Sequence, residues 1–282
     1  MATDDRVAMR FDRVDLGGGL VTHYLEAGSP EAPAVVLVHD GSYGASGRAT
    51  WEPTITTLAE RFHVLAPDLI GYGNSSKAVD ATRDARAQSI DQIRRWLDAI
   101  GITEASFVGN SFGGTLVLYA AMQKAWPVRR AVTICGTGGL YMIAERYRPL
   151  RDYRGTLDGM RAILERFVSE GYARFEELVR MRFEDSLIPG HMEALASLRR
   201  DHPSITPAID WRTELSEGLR RVDAAVLLIA GGADTLLEPE WPYRMAERLP
   251  RAEVVVIDGG RHQPHLDHAA IVDPVLERFL SS

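Results

Sequence analysis

From residue 34 onward the chain alternates short unbroken apolar runs with longer segments in which apolar residues recur at helical spacing. The runs fall at 34–38, 64–66, 105–108, 131–135, 226–230 and 254–257. Runs of this kind suit strands buried on both faces, as in a parallel sheet covered by helices. Helical patterns are predicted between them at about 52–61, 83–100, 115–124, 240–248 and 269–280. Residues 9–28 differ, because apolar and polar positions alternate there around Gly17-Gly18-Gly19. That alternation predicts an antiparallel hairpin. The whole reads as an α/β chain, with a mostly parallel sheet preceded by antiparallel strands.

One interval breaks the rhythm. From 138 to 221 no strand-like run occurs, and the sequence is helical, dense in Arg and Glu, with stops at Pro149, Pro189, Pro203 and Pro207. We expect a core formed by 1–137 and 222–282, with 138–221 inserted between two strands as a helical cap. Ligand sites of open α/β sheets lie beyond the carboxyl ends of the strands. An insertion leaving a strand end emerges over that edge.

The densest chemistry lies at Gly109-Asn110-Ser111-Phe112-Gly113. An apolar run ends in a serine flanked by glycines and passes at once into an Ala- and Leu-rich helical segment, the context of a G-x-S-x-G nucleophile elbow. A serine on such a turn presents its hydroxyl, while the following helix aims its N-terminal amides at an oxygen that becomes negative. Serine needs a base, and the base needs a carboxylate to orient it. Asp234 follows the run at 226–230, and His262 follows the run at 254–257 on a glycine-bearing loop. Ser111, Asp234 and His262 therefore form the expected triad, with His265 and His268 as rival bases. Asp234 has a competing reading as a cap for the next helix. After the run that ends at Cys135 there is no acid, which favours Asp234. The loop His39-Asp40-Gly41-Ser42-Tyr43-Gly44 supplies a candidate oxyanion hole, with an N–H near Gly41 or Ser42 joining that of Phe112, and Asn110 is expected to line the substrate. His39 is read as a structural hydrogen-bonding residue.

Composition narrows the function further. The 282 residues are 45% hydrophobic and 25% charged, enough for a large core and unlike a disordered chain. Net charge is −7 with both signs interspersed, so neither nucleic acid nor an anionic membrane is an expected partner. The partner is a small-molecule substrate, and a homodimer is among the states the surface allows. The single cysteine, Cys135, rules out an intramolecular disulfide, fits a reducing compartment and reads as core filling. Residues 1–10 hold Asp4 and Asp5 and no long apolar stretch, so no targeting segment and a cytoplasmic location are expected. The histidines lack paired spacing such as H-E-x-x-H, so neither a metal nor an organic cofactor is expected.

Taken together, Leu37-Val38-His39-Asp40-Gly41, Ala66-Pro67-Asp68-Leu69-Ile70-Gly71-Tyr72-Gly73-Asn74-Ser75, the elbow, Gly231-Gly232-Ala233-Asp234 and Gly260-Arg261-His262 resemble the α/β-hydrolase fold over nearly the whole chain. The stretch from His39 to Gly47 is similar to the H-G-x-G-P-G-A-x-G loop of meta-cleavage product hydrolases. Gly109-Asn110-Ser111-Phe112-Gly113-Gly114 is similar to their G-N-S-M-G-G, and Asp267-His268-Ala269 to their E-H-A. The resemblance implies carbon–carbon bond hydrolysis in vinylogous diketones, with a keto tautomerisation managed by serine and histidine and a cap arginine on the substrate carboxylate. Gln263 stands where that family has tryptophan, Asp40 and Tyr43 replace a glycine and a proline, and Arg199 and Arg200 are merely near the arginine's place. Ester or lactone hydrolysis is therefore the alternative. A rival of another class is a non-hydrolytic receptor, or a cofactor-free lyase or oxygenase, on the same fold.

Overall fold

Among the described residues, eight strands form one sheet in the order β1-β2-β4-β3-β5-β6-β7-β8. They are β1 (Arg10–Asp15), β2 (Val21–Ala27), β3 (Ala34–Val38), β4 (His63–Pro67), β5 (Ala105–Asn110), β6 (Val128–Ile134), β7 (Ala225–Gly231) and β8 (Ala252–Ile257). The computed structural model of the chain describes residues 8–199 and 211–282. Residues 1–7, and with them most of the reading of the first ten, lie outside that range, as do Arg200 and the helix stops at Pro203 and Pro207.

The expected hairpin is β1 paired with β2, and β2 also runs antiparallel to β4. From β4 through β3 to β8 every pairing is parallel. Central strands carry apolar side chains on both faces: Val36, Leu37, Val38, Phe107, Val108, Val132, Leu227 and Leu228 have no exposed surface. Each such side chain contributes roughly 1.5–3 kcal/mol relative to exposure. This is why the runs read as continuous rather than alternating.

The helices are α1 (Gly47–Leu58), α2 (Ala85–Ala99), α3 (Phe112–Gln123), α4 (Arg148–Arg151), α5 (Leu157–Leu164), α6 (Phe175–Ser186), α7 (His191–Leu198), α8 (Trp211–Gly218), α9 (Trp241–Ala246), α10 (Pro264–Asp267) and α11 (Ala269–Ser281). Two of them start earlier than their patterns predict. Helix α1 begins at Gly47 because the Ser46 side chain accepts the Ala49 N–H, and it tolerates Pro53 in its interior. Helix α3 begins at Phe112 although Gly113 and Gly114 are poor helix formers, since tertiary packing overrides propensity there. It is apolar on all sides, as befits a helix covered all round.

Between β6 and β7 the chain carries α4 to α8 and no strand of the sheet among the described residues. A single bridge joins Met142 to Leu237 there. Helices α5 and α6 pack on each other, and α6 rests against α1 of the core. Among the described residues, no helix is long and apolar enough to cross a membrane.

Candidate active site

Ser111 stands at the carboxyl end of β5, in the middle of the sheet, with φ 53° and ψ −112°. Its N–H is tied to Ile134 O on β6 at 2.9 Å. The turn is possible only because two positions lack side chains. A Cβ at Gly109 would lie 2.3 Å from the Gly113 carbonyl carbon, and one at Gly113 would lie 2.1 Å from Val38 O. The fold thus forces the serine hydroxyl out over the strand ends.

The three residues predicted to act together are brought together. His262 Nε2 lies 2.9 Å from Ser111 Oγ, and His262 Nδ1 lies 2.7 Å from Asp234 Oδ2. A carboxylate facing Nδ1 places the ring proton there and leaves Nε2 to accept from the serine hydroxyl. The other carboxylate oxygen of Asp234 accepts the Leu236 N–H at 2.8 Å, which fixes the acid on the loop after β7. His262 is buried, with Phe167 tilted against its ring at 5.3 Å. The rival bases are engaged elsewhere: His265 bonds Thr50 O, and His268 bonds Asp267.

Gly41 and Phe112 both line the space beside Ser111, and the amide of neither has an acceptor among the described residues. They are neighbours, since a Cβ on Gly41 would stand 2.9 Å from Phe112 Cβ. Ser42 does not share this freedom. Its N–H donates to Asp40 Oδ1 at 2.8 Å and its hydroxyl to the same oxygen at 2.5 Å, so that amide is already satisfied. Asn110 is fully buried and equally committed: its Nδ2 donates to Ile134 O and His262 O, and its Oδ1 accepts from Gln263. It braces the nucleophile loop against the histidine loop rather than presenting a polar group to a substrate.

His39 takes the structural role expected of it, accepting the Leu69 N–H at Nε2 and donating from Nδ1 to Asp40 O. Burial lowers its pKa, which keeps the ring neutral. Asp40 is the residue whose importance the sequence hid. It forms a buried ion pair with Arg182 of α6, with side chains 1% and 0% exposed, at 2.7 Å. Arg182 also reaches Ser42 Oγ and Thr50 Oγ1, and Gln263 Nε2 donates to Asp40 Oδ2 at 3.0 Å. Burial alone would raise the Asp40 pKa, but the Arg182 charge and hydrogen bond, with Ser42, hold the carboxyl well below its usual range. A signal for Arg182 existed: it shares the buried face of α6 with Leu178, Val179 and Ser186, where an arginine needs a carboxylate.

Cys135 is buried as expected, with φ 50°, but lies against the acid rather than in neutral core. Its sulfur accepts the Gly231 N–H, and burial followed by the Asp234 charge raises its pKa. Cys135, Asp234 and His262 are the group of described residues whose ligand atoms, all within 4.8 Å of one another, could hold an ion. Two of the three already bond each other. Above Ser111 opens a cavity of about 720 Å³, lined by Gly41, Phe112, Leu140, Tyr147, Leu198 and Arg199, among others. Arg199 donates to Gly41 O at 2.7 Å and stacks over Tyr43.

Residues 35–273 match the alpha/beta hydrolase family. A 2-hydroxymuconate semialdehyde hydrolase of Pseudomonas sp. (strain CF600) is 28% identical over 248 residues, 88% of this chain and 86% of its own. A pimeloyl-[acyl-carrier protein] methyl ester esterase of Xanthomonas campestris is 28% identical over 264 residues, 89% of this chain and 96% of its own. Among solved structures, the 2-hydroxy-6-oxo-6-phenylhexa-2,4-dienoate hydrolase of Rhodococcus sp. strain RHA1 superposes with a TM-score of 0.84 at 26% identity, covering 98% of this chain and all of the other.

Proposed function

The chain belongs to the alpha/beta hydrolase family, and we propose that it is a serine hydrolase that cleaves a carbon–carbon bond in a vinylogous diketone of the meta-cleavage type. The observation that carries the serine mechanism is the Asp234–His262–Ser111 relay, at 2.7 and 2.9 Å, beneath the cavity. The choice of substrate rests on relatives named for semialdehyde and dienoate hydrolysis.

In this reading His262 first moves a proton between the enol oxygen and the substrate carbon chain, giving the keto form. Ser111 Oγ then adds to the distal carbonyl while His262 takes its proton, and the oxyanion is met by the Gly41 and Phe112 amides. The carbon–carbon bond breaks, its electron pair passes into the enolate of the leaving fragment, and His262 returns the proton. Water, activated by the same histidine, releases the acyl group from Ser111. Residues 138–221 act as the cap over this site, and Leu140, Tyr147 and Leu198 line the apolar part of the cavity.

A second reading, ester or lactone hydrolysis, is favoured by a specific observation. The buried guanidinium of Arg182 commits both terminal nitrogens and its charge to Asp40, leaving that charge neutralised before any substrate carboxylate arrives. The same triad serves that reaction without the tautomerisation step. The experiment is the decay of dienoate absorbance against a panel of 2-hydroxy-6-oxo-dienoates, run beside p-nitrophenyl esters, with Ser111→Ala as control. Loss of dienoate in the wild type alone supports the first reading. Activity restricted to esters selects the second, and full turnover by Ser111→Ala overturns both.

A further inference from the structure

The loop that carries Gly41 is held at almost every residue by the helical segment between β6 and β7. Arg182 of α6 binds Asp40 with both terminal nitrogens and Ser42 Oγ at 2.8 Å. Arg199 donates to Gly41 O. Tyr43 packs on Tyr153, with ring centroids 5.0 Å apart. His191 of α7 accepts the Gly44 N–H at 3.0 Å, and Asp185 of α6 accepts the Ser46 hydroxyl at 2.8 Å. The histidine loop is held from the same side, because the Gln263 N–H donates to Phe167 O at 2.8 Å and Ser169 Oγ donates to Gly259 O at 2.9 Å.

Asp40 is where these ties meet the chemistry. Its carboxylate accepts from the Ser42 amide and hydroxyl, Thr50, Gln263 and Arg182. Capturing the Ser42 amide two residues ahead closes a local turn around Gly41. With the peptides on both sides pinned, Gly41 is held beside Phe112 with its N–H uncommitted among the described residues. Gln263 extends the network to Asn110, next to the nucleophile, and itself follows His262 in the chain. The residues adjoining the oxyanion glycine, the nucleophile and the base thus share one buried polar network, with a cation from the helical segment at its centre.

We propose that Asp40 and Arg182 are positioning residues that set the Gly41 amide for the oxyanion, so that the oxyanion hole is assembled only with α6 docked. The proposal rests on the reading of Ser111 as nucleophile and of the Gly41 amide as an oxyanion donor. A pair that merely stabilised the fold would affect folding but not selectively the transition state. This pair affects the transition state, because an amide displaced by a fraction of an ångström loses most of its stabilisation of a developing charge.

The test uses the full chain with p-nitrophenyl acetate as substrate and a phenyl trifluoromethyl ketone, which forms a tetrahedral oxyanion on serine, as inhibitor. Arg182→Met leaves a buried carboxylate without its cation, so it is paired with the double variant Asp40→Ala/Arg182→Met. That variant removes both charges, a change that folds tolerate far better than loss of one partner. The expected result for each folded variant is a fall of about 10²-fold in kcat, an equal loss of ketone affinity and a KM within about two-fold of wild type. Arg182→Lys, which keeps the charge but not the bidentate fork, should fall between. A folded double variant with wild-type kcat and ketone affinity overturns the proposal. Wild-type protein whose Ser111 is not labelled by a fluorophosphonate overturns the underlying reading of the site instead.

Discussion

Ser111 combines a side chain with a backbone conformation, φ 53° and ψ −112°, that glycine adopts freely and other residues do not. Holding a non-glycine residue in such a region costs about 1–3 kcal/mol. Two variants separate that cost from the loss of the hydroxyl. Ser111→Ala and Ser111→Gly both remove the hydrogen bond to His262, but only glycine relieves the backbone. Glycine also gives the unfolded chain more freedom, worth roughly 0.5–1 kcal/mol against it. Setting about 2 kcal/mol of strain against that term leaves Ser111→Gly more stable than Ser111→Ala by about 1 kcal/mol. An unfolding entropy of about 2.1 cal/mol/K per residue, over a chain of this length, turns that into a Tm difference of about 2 °C. Parallel urea titrations and calorimetric scans of the two variants at pH 7 read it directly. A Ser111→Gly protein no more stable than Ser111→Ala would refute the idea that the elbow stores strain.

Four further outcomes follow from the same structure. Asp234→Asn should keep the fold and lower kcat by about 10⁴-fold, because Nδ1 of His262 loses its carboxylate; stopped-flow acylation by p-nitrophenyl acetate measures it. Gly113→Ala puts a methyl group 2.1 Å from Val38 O, a backbone atom of the neighbouring strand, and should destabilise by about 3 kcal/mol or more in urea. His265 is pushed down to about 4 by burial, so the unfolded chain binds its proton first. Its contribution is complete above the unfolded value near 6.5 and is lost as pH falls toward 4. His265→Gln should therefore flatten the loss of urea stability in that window by about 2 kcal/mol. Asp273 runs the other way: burial raises it to about 6, so its contribution is present at low pH and is lost as pH rises through 6. Asp273→Asn, which can still accept the Thr57 hydroxyl, should add about 1 kcal/mol at pH 8 and nothing at pH 4 by the same titration.

The parts of this molecule that could be read in advance are those written locally. Buried parallel strands show as unbroken apolar runs, and the elbow declares itself because Gly109 and Gly113 must be glycine for β5 and α3 to approach. The order of Ser111, Asp234 and His262 along the chain follows from which strands end at the site. What stayed hidden depends on partners far apart in sequence. Asp40 and Arg182 are 142 positions apart, and neither has a neighbour that announces the other. Ser42 and Asn110 offered amide groups of the right type in the right loops. Only the fold shows that one is taken by Asp40 and the other by Ile134, His262 and Gln263. The start of α1 was obscured by Pro53, which reads as a first-turn residue although the Ser46 cap lies seven positions earlier.

Cys135 gives the molecule a native gauge of its own motions. It is the sole thiol in the chain and is buried against the loop that holds Asp234, with burial keeping it protonated. Cys135 sits 2% exposed at the wall of the substrate cavity, so a disulfide reagent reaches it appreciably only during excursions that open that wall, by separating β6 from β7 or lifting the histidine loop. When closing is faster than labelling, the measured rate divided by that of a free thiol is the equilibrium constant for opening, so the catalytic floor reports its local stability without an added label.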